Sequence, residues 1–234
     1  MYKREHHQRI AKILDSLNVD LFRENHCYFG GGTAIALLLG EYRESVDIDF
    51  LVSNLEGYRA MRAATGYERL GDLLSKPLNE LRDLRKNRDK ITAVVEMDGE
   101  PVKIECFIEA RIELDPPIEQ IHGFGVLTRH DLYAEKLLAI SDRGLDASVM
   151  SRDIIDLAMM IANWGPIPQI ALDKAYRAYG ERSIIRGLDV ALKLFEKPDH
   201  RRKCLHALQV HNNVLPQLDD GIAQIREFIS EKIQ

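Results

Sequence analysis

Phe29-Gly30-Gly31-Gly32-Thr33-Ala34, followed about a dozen residues on by Arg43-Glu44-Ser45-Val46-Asp47-Ile48-Asp49-Phe50, is the stretch on which the fold turns. From Val46 to Val52 apolar and other residues alternate strictly: Val46, Ile48, Phe50 and Val52 on one side, Asp47, Asp49 and Leu51 on the other. That period of two is a strand. Aspartate is depleted in strands, so two of them at alternate positions need a reason. Placed so, both carboxylates leave the same face of the sheet. A solvated edge strand is the bland alternative, but such a face more naturally carries Thr, Lys or Arg. Hard cations such as Mg²⁺ or Mn²⁺ take oxygen ligands from one or two carboxylates plus substrate phosphates. Two such ions, about 3.5–4 Å apart, can stabilise both oxygens of an in-line phosphoryl displacement. The glycines let a triphosphate approach the backbone, and N–H groups opening the next helix can bind its oxygens. The dinucleotide fingerprint is excluded, because Ile35 stands where its third small residue is required.

Outward from this stretch, Ile10, Ile13, Leu14 and Leu17 recur at helical spacing and predict an amphipathic helix over the first ~18 residues. Cys27 to Phe29 reads as a short strand and Thr33 to Leu39 as a buried helix closed by Gly40. Asn54 to about Leu74 reads as helix, interrupted near Gly66. Ile91–Met97 and Pro101–Ile108 read as strands joined by an Asp98-Gly99 hairpin turn. Glu105 lies on the polar face of the second, either as a third carboxylate for the cations or as an exposed strand residue. Pro116-Pro117 and Gly123/Gly125 read as a break in organisation.

Beyond residue 126 the pattern is helical throughout. Thr128 is a candidate cap with Asp131 as a weak capping-box partner, and Ser151 a candidate cap for a helix ending at Trp164-Gly165. Further helices fit 169–179, 182–195, 199–210 and 218 to the end. The expected architecture is α+β: a mixed sheet flanked by helices over residues 1–125, then an all-helical domain over 126–234.

Composition agrees with a folded globular chain: 234 residues, 45% hydrophobic and 29% charged. The longest apolar run, Ala34 to Leu39, is far short of the roughly 20 residues that cross a bilayer, and the N-terminus lacks a secretory pattern. Three scattered cysteines imply no disulfide framework. A cytoplasmic location without membrane contact follows as the expectation. A net charge of −5 argues against a general nucleic-acid binder. Even so, Arg82, Arg85, Lys86, Arg88 and Lys90 crowd together, and Arg201-Arg202-Lys203 form a second cluster. Each is either solvated surface or a phosphate-binding patch. His200 and Cys204 have helical metal-ligand spacing, but Cys204 and His206 face different ways and no second Cys pair completes a zinc pattern.

The GGTA segment, the R-x-S-x-D-I-D-F strand, Ala134-Glu135-Lys136-Leu137-Leu138-Ala139-Ile140 with Arg143, and Ser151-Arg152-Asp153-Ile154-Ile155-Asp156-Leu157 together resemble the AbiEii/AbiGii toxin family of nucleotidyltransferases, within the DNA polymerase β-like superfamily. The matching motifs span residues 29 to about 160. The resemblance implies Mg²⁺-dependent transfer of a nucleotide from a nucleoside triphosphate to an acceptor, in some relatives the end of tRNA. It implies a role as toxin in a toxin–antitoxin or abortive-infection system, with a cognate antitoxin as partner. By position it gives Gly31, Gly32 and Ser45, with Thr33 in the same bend, to the triphosphate, and Asp47 and Asp49 to the metals. Lys136 would reach a phosphate, Asp153 would complete the site, and Arg43 would offset charge on the leaving pyrophosphate. The third acidic position carries Glu105 where many superfamily members have Asp, and several relatives lack a clear third carboxylate. Lys136 and Arg143 share one helix face, an arrangement suited to a triphosphate or to two solvated cations. Asp153 and Asp156 lie early in their helix, where the dipole favours acids in any case. The alternatives in class are a module that binds nucleotide or antitoxin without turnover, and an enzyme whose acceptor is a small molecule or protein.

Overall fold

The computed structural model describes residues 2–233. The chain divides into two compact units. One runs up to Ala34 and resumes over Ser45–Thr128; the other takes Ile35–Glu44 and everything from Arg129 on. The sequence reading cuts the chain once, after residue 125, and carries no signal for the excursion of residues 35–44.

The first unit is built on a mixed sheet, eight-stranded among the described residues. Its elements are α1 (Glu5–Leu14), α2 (Val19–Glu24), β1 (Cys27–Gly30), the start of α3 (Gly31–Leu38), β2 (Asp47–Val52), α4 (Leu55–Ala64), β3 (Asn79–Glu80), β4 (Arg85–Lys86), β5 (Lys90–Met97), β6 (Glu100–Ile108), β7 (Glu119–Ile121) and β8 (Phe124–Val126). The order across the sheet is β3-β5-β6-β2-β1-β8-β7, with β4 also paired to β5. β2 is central, antiparallel to β1 and parallel to β6. The alternation read in the sequence is kept: Ile48, Phe50 and Val52 are fully buried. Phe50 meets Phe22 of α2 with ring centroids 4.5 Å apart, and Phe29 and Phe124 complete an aromatic core. Val46 departs from the reading. It precedes the strand and is 47% exposed.

The Asp98-Gly99 turn has φ of +52° and +81°, the left-handed pair a two-residue hairpin needs. The same pair recurs at His122 and Gly123, with φ of +50° and +82°, where β7 and β8 form a second hairpin. The expected break at 123–125 is therefore a turn inside the sheet. The helix expected over 54–74 ends at Ala64, capped at its start by Asn54, whose side chain accepts from Gly57 N–H at 2.7 Å.

The second unit is helical: α5 (Arg129–Arg143), α6 (Arg152–Trp164), α7 (Gln169–Tyr179), α8 (Glu181–Phe195), α9 (Pro198–Ala207) and α10 (Leu215–Ile233), with residues 35–44. Leu137 and Leu138 of α5, Ile155 and Leu157 of α6, Leu188 of α8 and Ile225 of α10 are all buried to zero exposure. A Cβ on Gly221 would stand 2.0 Å from the Ala158 carbonyl, so α10 lies backbone to backbone against α6. One expected cap is corrected here. Ser151 precedes α6 in the left-handed region (φ +49°) and makes no capping bond; its hydroxyl pairs with His200 Nε2 at 2.8 Å. Asp131 is fully buried and bonded to Lys174 of α7, a use its place in the first turn of α5 does not reveal.

Candidate active site

In the first unit the glycine bend and the Asp47/Asp49 strand are brought together. β1 runs straight into α3 at Gly30-Gly31, and Gly30 lies opposite Asp49 in the β1–β2 register. Gly31 has φ +68°, and a Cβ there would stand 2.3 Å from Asp49 Oδ2. Only glycine gives both the left-handed turn and room for the carboxylate. Thr33, buried in the first turn of α3, places Oγ1 2.9 Å from Ser45 Oγ and also hydrogen-bonds the main-chain carbonyl of Asp47. Ser45 and Val46 are held from the other side by α1. Ser45 N–H donates to His7 Nε2 at 3.1 Å, and His6 Nε2 bonds the Val46 carbonyl at 3.0 Å. As an acceptor at Nε2, the buried His7 ring is neutral. Nothing in the sequence pattern marks out these two histidines.

Asp47, Asp49 and Glu105 lie on one face: in the parallel β2–β6 register Asp47 stands beside Lys103 and Asp49 beside Glu105. The Lys103 ammonium reaches both Asp47, at 3.1 Å, and Glu105, at 3.0 Å. Lys90 adds a second cation to Glu105 at 2.8 Å. Partial burial works against charge on both Lys103 and Glu105. The hydrogen bonds and opposite charges win, holding the Lys103 ammonium above its ordinary range and the Glu105 carboxyl below its own. Lys103 is the residue the sequence reading missed here.

The donor set suits a hard divalent cation in kind. Two partly exposed carboxylates sit on alternate residues of one strand, beside a backbone bend with no side chain in the way. Among the described residues no three His, Cys, Asp or Glu side chains form a group able to hold a metal ion. His200 Nε2 does reach Cys204 at 3.2 Å, without further ligands of those types.

The second unit gathers the other sequence candidates into a buried ion network. Arg43 and Asp156 are 2% and 0% exposed, and Arg43 grips that carboxylate with Nε at 2.6 Å and Nη2 at 2.9 Å. The Tyr42 hydroxyl donates to the same group. Lys136 binds Asp156 at 2.7 Å and Asp153 at 2.9 Å, and Arg143 joins Asp153 at 2.7 Å. Burial by itself would drive these groups to neutrality. The mutual charges outweigh it, so the Asp153 and Asp156 carboxyls sit well below the usual carboxylate range, and Lys136 and Arg43 above theirs. Lys136 and Arg143 do share a face, as their spacing predicts, and that face meets Asp153 on α6. Tyr42 had no sequence signal, since its partner lies 114 residues away.

The family model of the nucleotidyl transferase AbiEii toxin, type IV toxin–antitoxin system, matches residues 12–221. No curated protein matches the chain. A candidate nucleotidyltransferase from H. pylori shares the fold at a TM-score of 0.50 and 14% identity, over 97% of this chain and 94% of its own. JHP933 from Helicobacter pylori gives 0.37 at 15% identity, over 89% and 100%. MenT4, a nucleotidyltransferase toxin from Mycobacterium tuberculosis, gives 0.33 at 15%, over 95% of each chain. Among the described residues no helix is long and apolar enough to cross a membrane.

Proposed function

The chain belongs to the AbiEii family of nucleotidyltransferase toxins, and from that premise we propose that it moves a nucleoside monophosphate from a triphosphate to an RNA acceptor, the end of a tRNA. The observation that carries this reading is the packing of the Gly31 bend directly against the Asp49 carboxylate. Phosphates laid on the N–H groups of Gly31 and Gly32 lie at the positive end of α3, with no side chain intervening. Thr33 and Ser45, already hydrogen-bonded to one another, offer hydroxyls at the same place. Asp47 and Asp49 would hold Mg²⁺ or Mn²⁺, with substrate phosphates supplying the remaining oxygens, while Glu105 beside Asp49 is tied to Lys90 and Lys103. The bound cation would neutralise charge on the triphosphate.

The acceptor hydroxyl attacks the α-phosphorus, its P–O bond forms as the bond to pyrophosphate breaks, and the proton leaves to water. The protein's own share is positioning: His6 and His7 fix the backbone of Ser45 and Val46, and Thr33 fixes the Asp47 carbonyl. For Arg43, Lys136 and Asp153 burial supports an architectural role, tying α5, α6 and residues 42–43 together. A role at the triphosphate, with Lys136 reaching a phosphate, Arg43 and Arg143 offsetting charge and Asp153 completing the site, is a separate proposal. It requires Lys136→Gln, at a temperature where that variant is folded, to raise KM for triphosphate. A cognate antitoxin is the partner that the family implies.

The test is incubation with each α-labelled triphosphate, a divalent cation and total cellular RNA and protein. One triphosphate labels RNA in the parent, with pyrophosphate released, and Asp47→Ala labels nothing. Labelling by Asp47→Ala equal to the parent's would overturn the assignment, and label in protein alone would move the acceptor class.

A further inference from the structure

We propose that a polynucleotide acceptor reaches the carboxylate face across the β4 side of the sheet, its phosphodiesters meeting Arg82, Arg85 and Arg88. The inference rests on the nucleotidyl-transfer reading and adds the route and the surface. It begins from strand register. Gly30 pairs with Asp49, Asp49 with Glu105, Glu105 with Thr92, and Thr92 with Arg85. Paired residues project from the same face of a sheet. Asp49, Glu105, Thr92 and Arg85 therefore form one row on the face of the candidate active site. The contact of Thr92 Oγ1 with Glu105, at 3.4 Å, lies along it. With strands about 4.8 Å apart, the row runs roughly 14 Å from Asp49 to Arg85. That span matches about four phosphates of a stacked strand at ~3.4 Å each.

The charges along the row are of two kinds. Lys90 and Lys86 are turned to the protein: Lys90 bonds Glu105 at 2.8 Å, and Lys86 bonds Thr65 Oγ1 at 2.8 Å. Lys90 ties β5 to β6, and Lys86 ties β4 to the end of α4. Arg82, Arg85 and Arg88 are exposed. Arg88 has only a 3.9 Å approach to Asp89, both side chains being largely in solvent, and Arg82 and Arg85 have no ion-pair partner among the described residues. Asp83 and Asp89 are the acids within this segment. Guanidinium groups bind phosphate oxygens in a planar fork, which makes them better matched than lysine to a phosphodiester chain.

The whole chain is acidic, at −5, so a polyanion is repelled by the protein at large. A local excess of exposed arginine, with Arg85 in register with the carboxylates and Arg82 and Arg88 three residues to either side of it, singles out one approach. A small-molecule acceptor would end near Asp49 and leave the arginines unused. RNA and DNA share the phosphodiester chemistry, and the experiment separates them.

The experiment uses the full chain with Arg82→Gln, Arg85→Gln and Arg88→Gln combined, exposed positions whose substitution leaves folding intact. Anisotropy with fluorescent single-stranded 20-mers of RNA and of DNA is read from 50 to 200 mM salt, beside triphosphate calorimetry. The parent binds the RNA. The triple variant binds it 10- to 100-fold more weakly, and the slope of log affinity against log salt is shallower by about 2, from three contacts at ~0.7 each. Triphosphate affinity stays the same. DNA bound as tightly as RNA supports a track that reads phosphates alone; RNA bound more tightly supports one that also reads the 2′-hydroxyl. Parental affinity and slope in the triple variant, or no binding of either 20-mer by the parent, overturns the proposal. Failure of the transfer reading looks different: Asp47→Ala would still transfer label, whatever the 20-mers do.

Discussion

Asp47 and Asp49 on β2 and Asp153 and Asp156 on α6 are the same chemical group in contrasting surroundings. The helix pair is buried to 5% and 0%, and every negative charge is met: Asp153 by Lys136 and Arg143, Asp156 by Arg43, Lys136 and the Tyr42 hydroxyl. Nothing less would be tolerated, since a buried charge without full pairing is strongly destabilising. The strand pair lies in partly exposed positions. Asp47, at 27% exposure, is met by one lysine that is itself 38% exposed. An ion pair in that setting is worth little and is exchanged at little cost for another cation. Complete pairing sets Asp153 and Asp156 apart as carboxylates that build the protein, whereas the single exposed lysine on Asp47 leaves that carboxylate accessible.

The sharpest way to break this contrast is Asp47→Asn. Transfer should fall by about 10³-fold or more, with the thermal midpoint within a few degrees of the parent. A labelled-transfer assay and a melt on the same sample decide it, and a collapse in stability would place Asp47 with the architectural acids. Asp156→Ala should do the reverse, costing about 3–5 kcal/mol in urea denaturation because Arg43 and Lys136 are left buried without it. A parental urea midpoint would remove the distinction.

Gly31→Ala joins the two effects. It should lose about 1–3 kcal/mol, from the positive φ and the contact with Asp49, and weaken triphosphate binding in calorimetry. The smallest effect is that of pH. Asp153 and Asp156 have folded carboxyls below the unfolded value of about 4, so their contribution is complete above that pH. It is lost as the pH falls towards the folded values, by at most about 1.4 kcal/mol per pH unit for each. Urea midpoints between pH 5 and 3 should fall less steeply in Asp153→Asn than in the parent.

What could be read from the sequence was whatever depends on near neighbours. The alternation through Asp47 and Asp49, the Asp98-Gly99 hairpin and the stop at Trp164-Gly165 all survive in the fold, because period and turn chemistry act over a few residues. The β7–β8 hairpin escaped notice because its strands are three residues long and its turn begins with His122 rather than Asn or Asp. At Ser151 local chemistry misled: a serine before a helix reads as a cap, and its hydroxyl goes instead to His200, 49 residues on. The site was legible in its anions and glycines and illegible in what steadies them. Lys103 looked like an ordinary strand residue, and His7 gave no hint of Ser45, 38 positions away.

The excursion of residues 35–44 bears on how this polypeptide is made. Tyr42, Arg43 and Glu44 leave the ribosome more than a hundred residues ahead of their hydrogen-bond partners Asp156, Leu208, Gln209 and His211. The nascent chain must carry that loop without those partners until α6, α9 and the residues after it have been made. A product that stopped after Thr128 would hold a guanidinium shaped for burial with no carboxylate to receive it, so premature termination should yield material for proteolysis rather than a working half.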